Sequence, residues 1–268
     1  MLDKFAKGIK VIQNFRNWHT FFFDYFGILK NREVVYSLRN NIKFKARAGK
    51  HEEDIINDIW VTRTYTPVGD EIREGDTVID IGAHIGVFSV LAATRARDVT
   101  VYSYEPFPDN FNLLKENIRL NHLENVKPFP LAVAGSGGRR KLFIWEEDSC
   151  GHSLLGAGEN YIEVDCITLP EIFEWNNIET CSFVKIDCEG AEYEILFNTP
   201  EEYFSRIKRI FIEYHAYAGK GRYSPSGDEL VTLLKDRGFE IQWVKTLKAG
   251  YGYISAVNKN ADKDTSSL

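Results

Sequence analysis

Two carboxylates end successive apolar runs in this chain, where the parallel strands of a nucleotide-binding sheet would present them to a ligand. Asp80 lies at the end of the first run, with only Ile81 between it and the glycine-rich residues 82–86, and Glu105 ends the second. A strand, a glycine turn and a helix, here residues 87–93, form the first unit of such a sheet. The free N–H groups at the start of that helix attract a pyrophosphate, but a carboxylate beside them repels it. Asp80 therefore argues against a nicotinamide dinucleotide.

The same position favours a ligand that has no phosphate and carries a cationic end. S-adenosylmethionine meets both conditions, because it has an ammonium and a sulfonium group. His84 stands where a second close glycine would admit a pyrophosphate, so the spacing departs from G-x-G-x-x-G. Glu105 can accept hydrogen bonds from both ribose hydroxyls. NAD enzymes, however, also use an acid about 20 residues after the glycines. The pair of acids indicates the cofactor, whereas either acid alone could be a solvated strand end.

A third charged group, Lys185, Asp187 and Glu189, lies within and just after the mostly apolar residues 183–186. Ligands of open α/β sheets bind at the carboxyl ends of the strands, and a buried charge without a partner is costly. Lys185 and Asp187 should therefore be paired or contact a ligand. Two interpretations stay open. Either a lysine–carboxylate pair fixes the strand to the next helix, or Asp187 lies near the methionine end of the cofactor and Glu189 faces the acceptor.

Glu213 and His215 close the next apolar run and, being two residues apart in a strand, share a face. In the expected sheet order this strand adjoins residues 183–187, so both side chains should approach Asp187 and Glu189. Histidine titrates near neutral pH and could take the proton of an acceptor. We therefore predict His215, Asp187, Glu189 and Lys185 as catalytic residues.

The same group of side chains could instead bind a divalent ion such as Mg²⁺, since carboxylates are its usual protein ligands. In that case the ligands would be Asp187, Glu189, Glu213 and His215. We expect no tightly held ion, because no spacing here dictates metal ligation.

Five segments of the chain resemble the FkbM-type S-adenosylmethionine-dependent methyltransferases: residues 78–90, 104–118, 131–135, 183–196 and 210–215. They occur in family order over residues 53–257, and the stretch I-D-x-E-G-A-E is much more specific than the glycine turn. His84 is a departure, because family members usually have asparagine there. The resemblance implies a class I fold: α/β, with a Rossmann-like, seven-stranded, mostly parallel sheet whose last strand is antiparallel. It also implies a cofactor site formed by Tyr65, Asp80, Gly82, Ala83, His84, Gly86, Phe88, Glu105, Pro106, Asn110, Ala132 and Asp187.

Residues 1–70 are expected to form a helix-and-hairpin extension, before a catalytic domain at 71–258 and a disordered tail at 259–268. Aromatic residues at helical spacing predict one helix over residues 3–29. Its stripe would pack on the catalytic domain or on a second subunit, which allows a homo-oligomer; contact with a membrane surface is the alternative. Residues 34–38 and 42–46 predict a hairpin, and residues 53–60 a further helix. The stripe consists of Phe15, Trp18, Phe21, Phe22, Tyr25 and Phe26, with Lys4, Lys7, Lys10 and Arg16 favouring the membrane alternative.

The remaining elements alternate as in a doubly wound sheet. We expect a helix over residues 108–120 and a strand over residues 126–133, placed at the sheet edge because it contains Pro128 and Pro130. A strand pair at 141–145 and 161–165 should flank a loop, residues 148–156, that lies near the mouth of the site, with His152 read as a surface residue. A helix over residues 226–237 and a hairpin of 239–245 with 252–257 should close the fold.

Composition narrows the class of protein. The 268 residues carry a net charge of −6 with no sustained basic run, which argues against a nucleic-acid substrate. The four cysteines form no C-x-x-C pair and are expected to be free thiols of a reducing, cytoplasmic protein. No signal peptide or transmembrane segment is visible.

These features predict transfer of a methyl group from S-adenosylmethionine to an oxygen of a small molecule or glycan. Transfer to nitrogen or carbon is an alternative, as is a non-catalytic protein that retains the cofactor fold. A nucleotide-dependent oxidoreductase is disfavoured by Asp80. The loops at 146–160 and 216–226 should select the acceptor, whose identity no motif reveals.

Overall fold

The computed structural model describes residues 2–66, 72–145, 149–216, 226–247 and 250–260, with side chains from residue 7 onward. The helices are α1 Leu2–Asn14, α2 Trp18–Tyr25, α3 Glu52–Ile56, α4 Val87–Arg95, α5 Pro108–Leu120, α6 Leu169–Trp175, α7 Glu192–Phe197, α8 Glu201–Ser205 and α9 Gly227–Asp236, with a π-helical turn at Asn57–Val61. The strands are β1 Glu33–Ser37, β2 Lys43–Arg47, β3 Thr77–Ile81, β4 Thr100–Tyr104, β5 Val126–Phe129, β6 Ala132–Val133, β7 Gly138–Phe143, β8 Tyr161–Ile167, β9 Phe183–Ile186, β10 Arg209–His215, β11 Phe239–Thr246 and β12 Tyr251–Asn258.

The central sheet has seven strands in the order β11-β12-β10-β9-β3-β4-β5. The five strands from β10 to β5 pair in parallel, whereas β12 pairs antiparallel with both β10 and β11. Strands β3, β4 and β9 are almost entirely buried, as expected for parallel strands covered on both faces. The predicted class I fold is confirmed, including the position of β10 beside β9.

The prediction of one strand over residues 126–133 is wrong. β5 does form the sheet edge, with Pro128 in it, but the strand ends at Phe129. Pro130 has no N–H for a ladder, and after it the chain leaves the sheet. Ala132 pairs with Cys166 instead, so β6, β8 and β7 form a separate three-stranded sheet.

The prediction of a single N-terminal helix is also wrong, because residues 15–17 separate α1 from α2. Phe15 forms an isolated β-bridge with Leu38, at the end of the hairpin. The N–H of Arg16 donates to the Ser37 carbonyl at 2.7 Å, and the N–H of Arg39 donates to the Asn14 carbonyl at 2.8 Å. These tertiary bonds satisfy the backbone better than one more helical turn would.

The hairpin of β1 and β2 is confirmed, and it is joined to the catalytic domain by α5. The amide of Asn117 bonds the N–H and carbonyl of Lys45 at 2.6 and 3.0 Å. One helical turn later, the amide of Asn121 does the same for Lys43 at 2.9 and 2.7 Å. Phe15, Tyr36 and Phe44 share one buried cluster with residues of β3 and α4. The extension therefore has no hydrophobic core separate from the sheet.

The helix predicted over residues 53–60 becomes α3 followed by the π-helical turn, which leads the chain to Tyr65. No helix in the described parts of the chain is long and apolar enough to cross a membrane. The expected acceptor loop at 216–226 lies, apart from its two end residues, outside the described residues, as does the tail from residue 261.

Candidate active site

A cavity opens at the carboxyl ends of β3, β4, β9 and β10, which is the edge where the sequence predicted a site. Its walls also include residues of the extension and of the segment 150–154. Part of the loop predicted near the mouth therefore lines the cavity, and the half-buried His152 borders it. Of the residues predicted to bind the cofactor, those lining the cavity are Tyr65, Gly82, Ala83, His84, Phe88, Glu105, Pro106, Asn110, Ala132 and Asp187.

The glycine turn fits closely against the end of β9. Gly82 has φ +74°, and a Cβ there would lie 1.7 Å from the carbonyl oxygen of Asp187. The N–H groups of Gly82 and Ala83 both donate to the Tyr104 carbonyl at 3.0 Å. Glycine is thus required because two strand ends touch here. Gly86 does not line the cavity; it begins α4 in the left-handed conformation.

Asp80 lies behind the wall of the cavity and does not face it. It is fully buried and accepts a hydrogen bond from the Ser89 hydroxyl at 2.6 Å. It also forms an ion pair with the Lys185 ammonium at 3.2 Å. The expected direct contact between Asp80 and a cationic ligand therefore does not agree with the structure. An ion pair within the interior already provides the counter-charge.

Lys185 connects the glycine turn to β9. Its ammonium donates to the Gly82 carbonyl at 2.6 Å and lies 3.6 Å from Asp187. Burial lowers the pKa of this ammonium, but the charges of Asp80 and Asp187 outweigh burial and raise it above the usual value. A lysine that stays protonated cannot accept a proton at neutral pH. Its contacts favour the first interpretation, a lysine–carboxylate pair, over a catalytic role.

Glu105 presents a carboxylate held by the backbone. Its oxygens accept the N–H of His84 at 2.8 Å and the N–H of Phe107 at 2.9 Å. Burial raises the pKa of this carboxyl to about 7, and the two backbone N–H groups act in the opposite direction. The carboxylate is held in a fixed position and borders the cavity, so it is suited to accept hydrogen bonds from two hydroxyl groups.

His84 forms an uncharged part of the wall. Burial, with the positive charges of Arg47 and Lys185, lowers its pKa to about 3. Its Nε2 lies 3.1 Å from the Ser149 hydroxyl, and the Ser149 carbonyl accepts the Asn110 amide at 3.0 Å. His84 and Asn110 thereby hold the loop that follows residue 148 against the cavity.

The most concentrated group of polar side chains is formed by Tyr65, Asp187 and Glu213. The Tyr65 hydroxyl lies 2.6 Å from Asp187 Oδ2 and 3.0 Å from Glu213 Oε2. Burial, with the charges of both carboxylates, raises the pKa of Tyr65 well above its usual value, so the hydroxyl keeps its proton. Burial and the charge of Asp187 raise the pKa of the Glu213 carboxyl to about 8. This carboxyl can hold or release a proton close to neutral pH.

His215 approaches the acidic residues as predicted but does not line the cavity. Its Nδ1 lies 3.2 Å from Glu192, and its Nε2 lies 3.7 Å from Glu189 and 3.9 Å from Glu213. Burial lowers its pKa, but these carboxylates outweigh burial and raise the pKa to about 10. An imidazolium at neutral pH cannot act as a general base, so the structure does not support the role predicted for His215.

One oxygen or nitrogen atom of each of Asp187, Glu213 and His215 lies within 4.8 Å of the others, so these side chains could hold an ion. Glu189, the fourth predicted ligand, is not part of that group. The dependence on a metal stays a prediction.

Among the lining residues that sequence reasoning missed are three with polar groups, Asp58, Thr64 and Tyr253. Asp58 lies in the π-helical turn, which has no simple sequence signature, and Thr64 directly precedes Tyr65 in the extension. Tyr253 lies opposite Glu213 in the antiparallel pair of β10 and β12. The alternating tyrosines at 251 and 253 were a signal available for it.

A Rossmann-like sheet with this cavity at its carboxyl edge, a backbone-held acid after β4 and no phosphate-binding glycine loop defines a class I methyltransferase. The family model described as "Methyltransferase FkbM domain" matches residues 80–241. The chain belongs to this family, and the resemblance seen in the sequence is confirmed, together with S-adenosylmethionine as the cofactor.

Two relatives and one solved structure illustrate the range of similar proteins. The 31-O-demethyl-FK506 methyltransferase FkbM of Streptomyces tacrolimicus is 25% identical over 218 residues, which are 70% of this chain and 81% of the relative. The hexuronic acid methyltransferase AglP of Haloferax volcanii is 26% identical over 168 residues, 60% and 68% of the two chains. The crystal structure of M. jannaschii TYW2 in complex with AdoMet is 19% identical, covers 85% of each chain and has a TM-score of 0.42.

Proposed function

We propose that this methyltransferase transfers its methyl group to a hydroxyl oxygen of a small molecule or glycan. The observation that carries the proposal is the Tyr65–Asp187–Glu213 group. The Glu213 carboxyl, with a pKa of about 8, borders the cavity, and the Tyr65 hydroxyl lies 3.0 Å from it. An alcohol is a poor nucleophile while it keeps its proton, so its methylation benefits from a base at this place.

The residues around the glycine turn are suited to the nucleoside part of S-adenosylmethionine. Glu105 would accept both ribose hydroxyls, because its carboxylate is fixed by the N–H groups of His84 and Phe107. In the described lining Lys185 is the sole lysine and arginine is absent, and Lys185 is already paired with Asp80 and Asp187. A phosphate-bearing ligand would therefore lack a counter-charge, whereas a cationic one suits the carboxylates.

The cofactor supplies an electrophilic methyl group, and alignment of that methyl with the acceptor is the main contribution of the protein. Asp187 lies on the loop after β9 and would face the cationic end of the cofactor. Tyr65 would hold Asp187 and Glu213 in fixed positions through its hydroxyl. Glu213 would take the acceptor proton as the new bond forms, and His215, as an imidazolium 3.9 Å away, would balance its charge.

The class of acceptor follows from the same polar group and from the relatives. Carboxylates accept hydrogen bonds and thus orient a hydroxyl donor. One relative is described as acting on a 31-O-demethyl compound and another on a hexuronic acid. We therefore infer a polyhydroxylated acceptor whose reacting group is an alcohol.

The test is turnover of the purified protein with S-adenosylmethionine and matched acceptors, such as hexuronic acids and the corresponding amino sugars. Release of S-adenosylhomocysteine and the position of the methyl group would be measured by mass spectrometry and NMR. We expect a methyl ether. Methylation on nitrogen or carbon alone would contradict the proposal. Glu163→Gln, a substitution of an exposed acid that does not line the cavity, serves as the control for Glu213→Gln.

A further inference from the structure

Helix α2 turns its apolar side outward. Its inward side carries Phe21 and the carboxylate of Asp24, both buried. Five large apolar side chains on and after the helix are exposed, and we call them the aromatic face: Trp18 (41%), Phe23 (46%), Tyr25 (44%), Phe26 (69%) and Ile28 (65%). A helix on a protein surface normally has the opposite arrangement, so this face needs an explanation.

The orientation of α2 is fixed by the polar contacts of its inner side. Asp24 accepts the hydroxyl of Tyr36 and the N–H of Gly49, the latter at 2.7 Å. Phe21 packs edge-on against Phe15 at 5.2 Å between ring centroids. Rotating the helix to bury the aromatic face would break these contacts and leave Asp24 without its partners. The exposure is therefore a stable property of this fold.

The segment of the chain that carries the aromatic face is basic. Residues 1–50 contain 11 of the 33 lysines and arginines but 3 of the 39 acidic residues, a formal charge of +8 against −14 for residues 51–268. Arg16, Lys30 and Arg32 flank α2 in the chain and are exposed. None of the three forms an ion pair within the described part of the protein.

We propose that the aromatic face docks on the surface of an anionic lipid bilayer, with Arg16, Lys30 and Arg32 against the head groups. Aromatic and aliphatic side chains of an interfacial helix enter the boundary between head groups and acyl chains. Basic residues near an anionic leaflet add about 1 kcal/mol each. Both features occur together in one short segment, on a protein whose remaining surface is acidic.

Two other occupants fit the charges less well. A symmetric contact with a second copy would bring the same basic segment of both chains together, and like charges oppose each other across an interface. A double-stranded nucleic acid would match the charge but would leave Phe23, Phe26 and Ile28 without an apolar partner, because its bases are already stacked on one another. The lipid surface satisfies both the charge and the apolar groups.

The proposal is tested by sedimentation of the full-length protein with two kinds of vesicle. One contains phosphatidylcholine alone, and the other contains phosphatidylcholine with phosphatidylglycerol as about a third of the lipid. We expect binding to the second kind that weakens with added salt. Phe23→Ser with Phe26→Ser should reduce binding at least about tenfold, because two rings lose their apolar environment. Lys30→Glu with Arg32→Glu should reduce it about 30-fold or more.

Matched controls separate this face from general surface effects. Trp175→Ser with Phe197→Ser removes two exposed rings, 65% and 51% accessible, from another part of the molecule. Lys235→Glu with Lys259→Glu reverses two exposed charges outside the extension. Both controls should bind anionic vesicles like the unaltered protein. Melting temperatures of all four variants verify that the fold is retained.

Three results would overturn the proposal. One is the absence of binding to anionic vesicles by a folded protein. Another is a dimer in analytical ultracentrifugation that Phe23→Ser with Phe26→Ser dissociates, without vesicle binding. The third is binding to single-stranded RNA that the charge reversals abolish but the phenylalanine substitutions leave intact, again without vesicle binding.

Discussion

At the scale of single residues, the buried Glu105 and the half-buried Glu213 both have a carboxyl pKa raised towards neutrality, yet they have different neighbours. Glu105 is bonded by two backbone N–H groups, whereas Glu213 shares the Tyr65 hydroxyl with a second carboxylate. The first arrangement fixes an acceptor of hydrogen bonds in place. The second leaves a proton that can be exchanged.

Glu105→Ala should weaken the binding of S-adenosylhomocysteine by about 1.5–3 kcal/mol, the range for a hydrogen bond to a charged group. Because the Glu105 carboxyl has a pKa of about 7, affinity of the unaltered protein should also increase as pH rises through that value. Calorimetry at several pH values measures both effects, with the exposed Glu124→Gln as a control. Unchanged affinity in the Ala variant would refute the ribose assignment.

Glu213→Gln should lower kcat by about 10²–10⁴-fold, the usual contribution of general-base catalysis. The Glu213 carboxyl has a pKa of about 8, so kcat of the unaltered enzyme should rise with pH through about 8. The glutamine variant should lose that rise. A pH–rate profile of each protein provides the measurement, and a variant with normal kcat would remove Glu213 from the mechanism.

His215→Gln should shift the same profile to higher pH, because the imidazolium lowers the pKa of Glu213. It should also cost stability. Since the pKa of His215 is raised from 6.5 to about 10 in the folded protein, its contribution is full below about pH 6.5 and is lost as pH rises through about 10. Thermal unfolding across this range should show the two proteins converging at the alkaline end. An unshifted profile with normal stability would contradict both effects.

Removal of divalent ions by EDTA should leave most of the turnover intact. The oxygens of Asp187 and Glu213 already bond to Tyr65, and His215 already contacts three carboxylates. Activity would be measured before and after dialysis and again with added Mg²⁺. Complete loss that Mg²⁺ reverses would identify Asp187, Glu213 and His215 as ligands.

At the scale of secondary structure, the site depends on where strands end and on one buried ion pair. The sequence predicts the strand ends but not the ion pair. The strand ends that carry Glu105, Asp187 and Glu213 were predictable. The apolar runs and the glycine turn indicate a parallel sheet, and the ligands of such a sheet bind at the carboxyl ends of its strands. The pairing of Lys185 with Asp80 was not, since sequence shows that a buried charge needs a partner but not which one it has. Asp80 was therefore assigned to the ligand and His215 to proton transfer.

The elements that were predicted wrongly fail for a common reason. Local patterns describe the segment alone, whereas residues 15–17 and 130–133 are shaped by hydrogen bonds to distant parts of the chain. Phe15 pairs with Leu38, and Ala132 pairs with Cys166. The aromatic spacing through residues 15–26 and the apolar run through residue 133 conceal both interruptions.

Gly82→Ala should destabilise the protein and weaken cofactor binding more than Gly75→Ala does. The two glycines have nearly equal positive φ angles, +74° and +76°, so each substitution carries a conformational cost of about 1–2 kcal/mol. Only at Gly82 would the new Cβ meet the Asp187 carbonyl, at 1.7 Å, whereas Gly75 has no atom within 4 Å. Melting temperature and S-adenosylhomocysteine affinity distinguish them, and equal losses would show that the strand contact is unimportant.

At the scale of the whole molecule, the extension and the catalytic domain share a buried cluster and also share the site, since Tyr65 belongs to the extension by sequence. The division expected at residue 70 therefore falls inside a shared core. It does not correspond to a break in packing.

Phe44→Ala, a substitution in the hairpin, should accordingly destabilise the whole chain by about 3–5 kcal/mol, the range for a buried phenylalanine. Phe44 is fully buried, whereas Val35 on the same hairpin is 41% exposed, so Val35→Ala is the matched control. Denaturant unfolding followed by circular dichroism and by loss of S-adenosylhomocysteine binding should give one coincident transition. Loss of the hairpin with retained cofactor binding would show that the extension unfolds separately.

The asparagine contacts of α5 also protect the hairpin from other chains. A two-stranded hairpin has outward-facing N–H and carbonyl groups that invite an added strand, a common route to aggregation. On β2 these backbone groups already have partners. The N–H of Lys45 donates to Asn117, that of Lys43 to Asn121, and that of Arg47 to Glu52 at 2.6 Å. Asn117 and Asn121, one helical turn apart on α5, thus form the hydrogen bonds that a neighbouring strand would otherwise form. The hairpin is thereby protected from joining neighbouring copies into a continuous sheet at the high local protein concentration that the proposed docking on a lipid surface would produce.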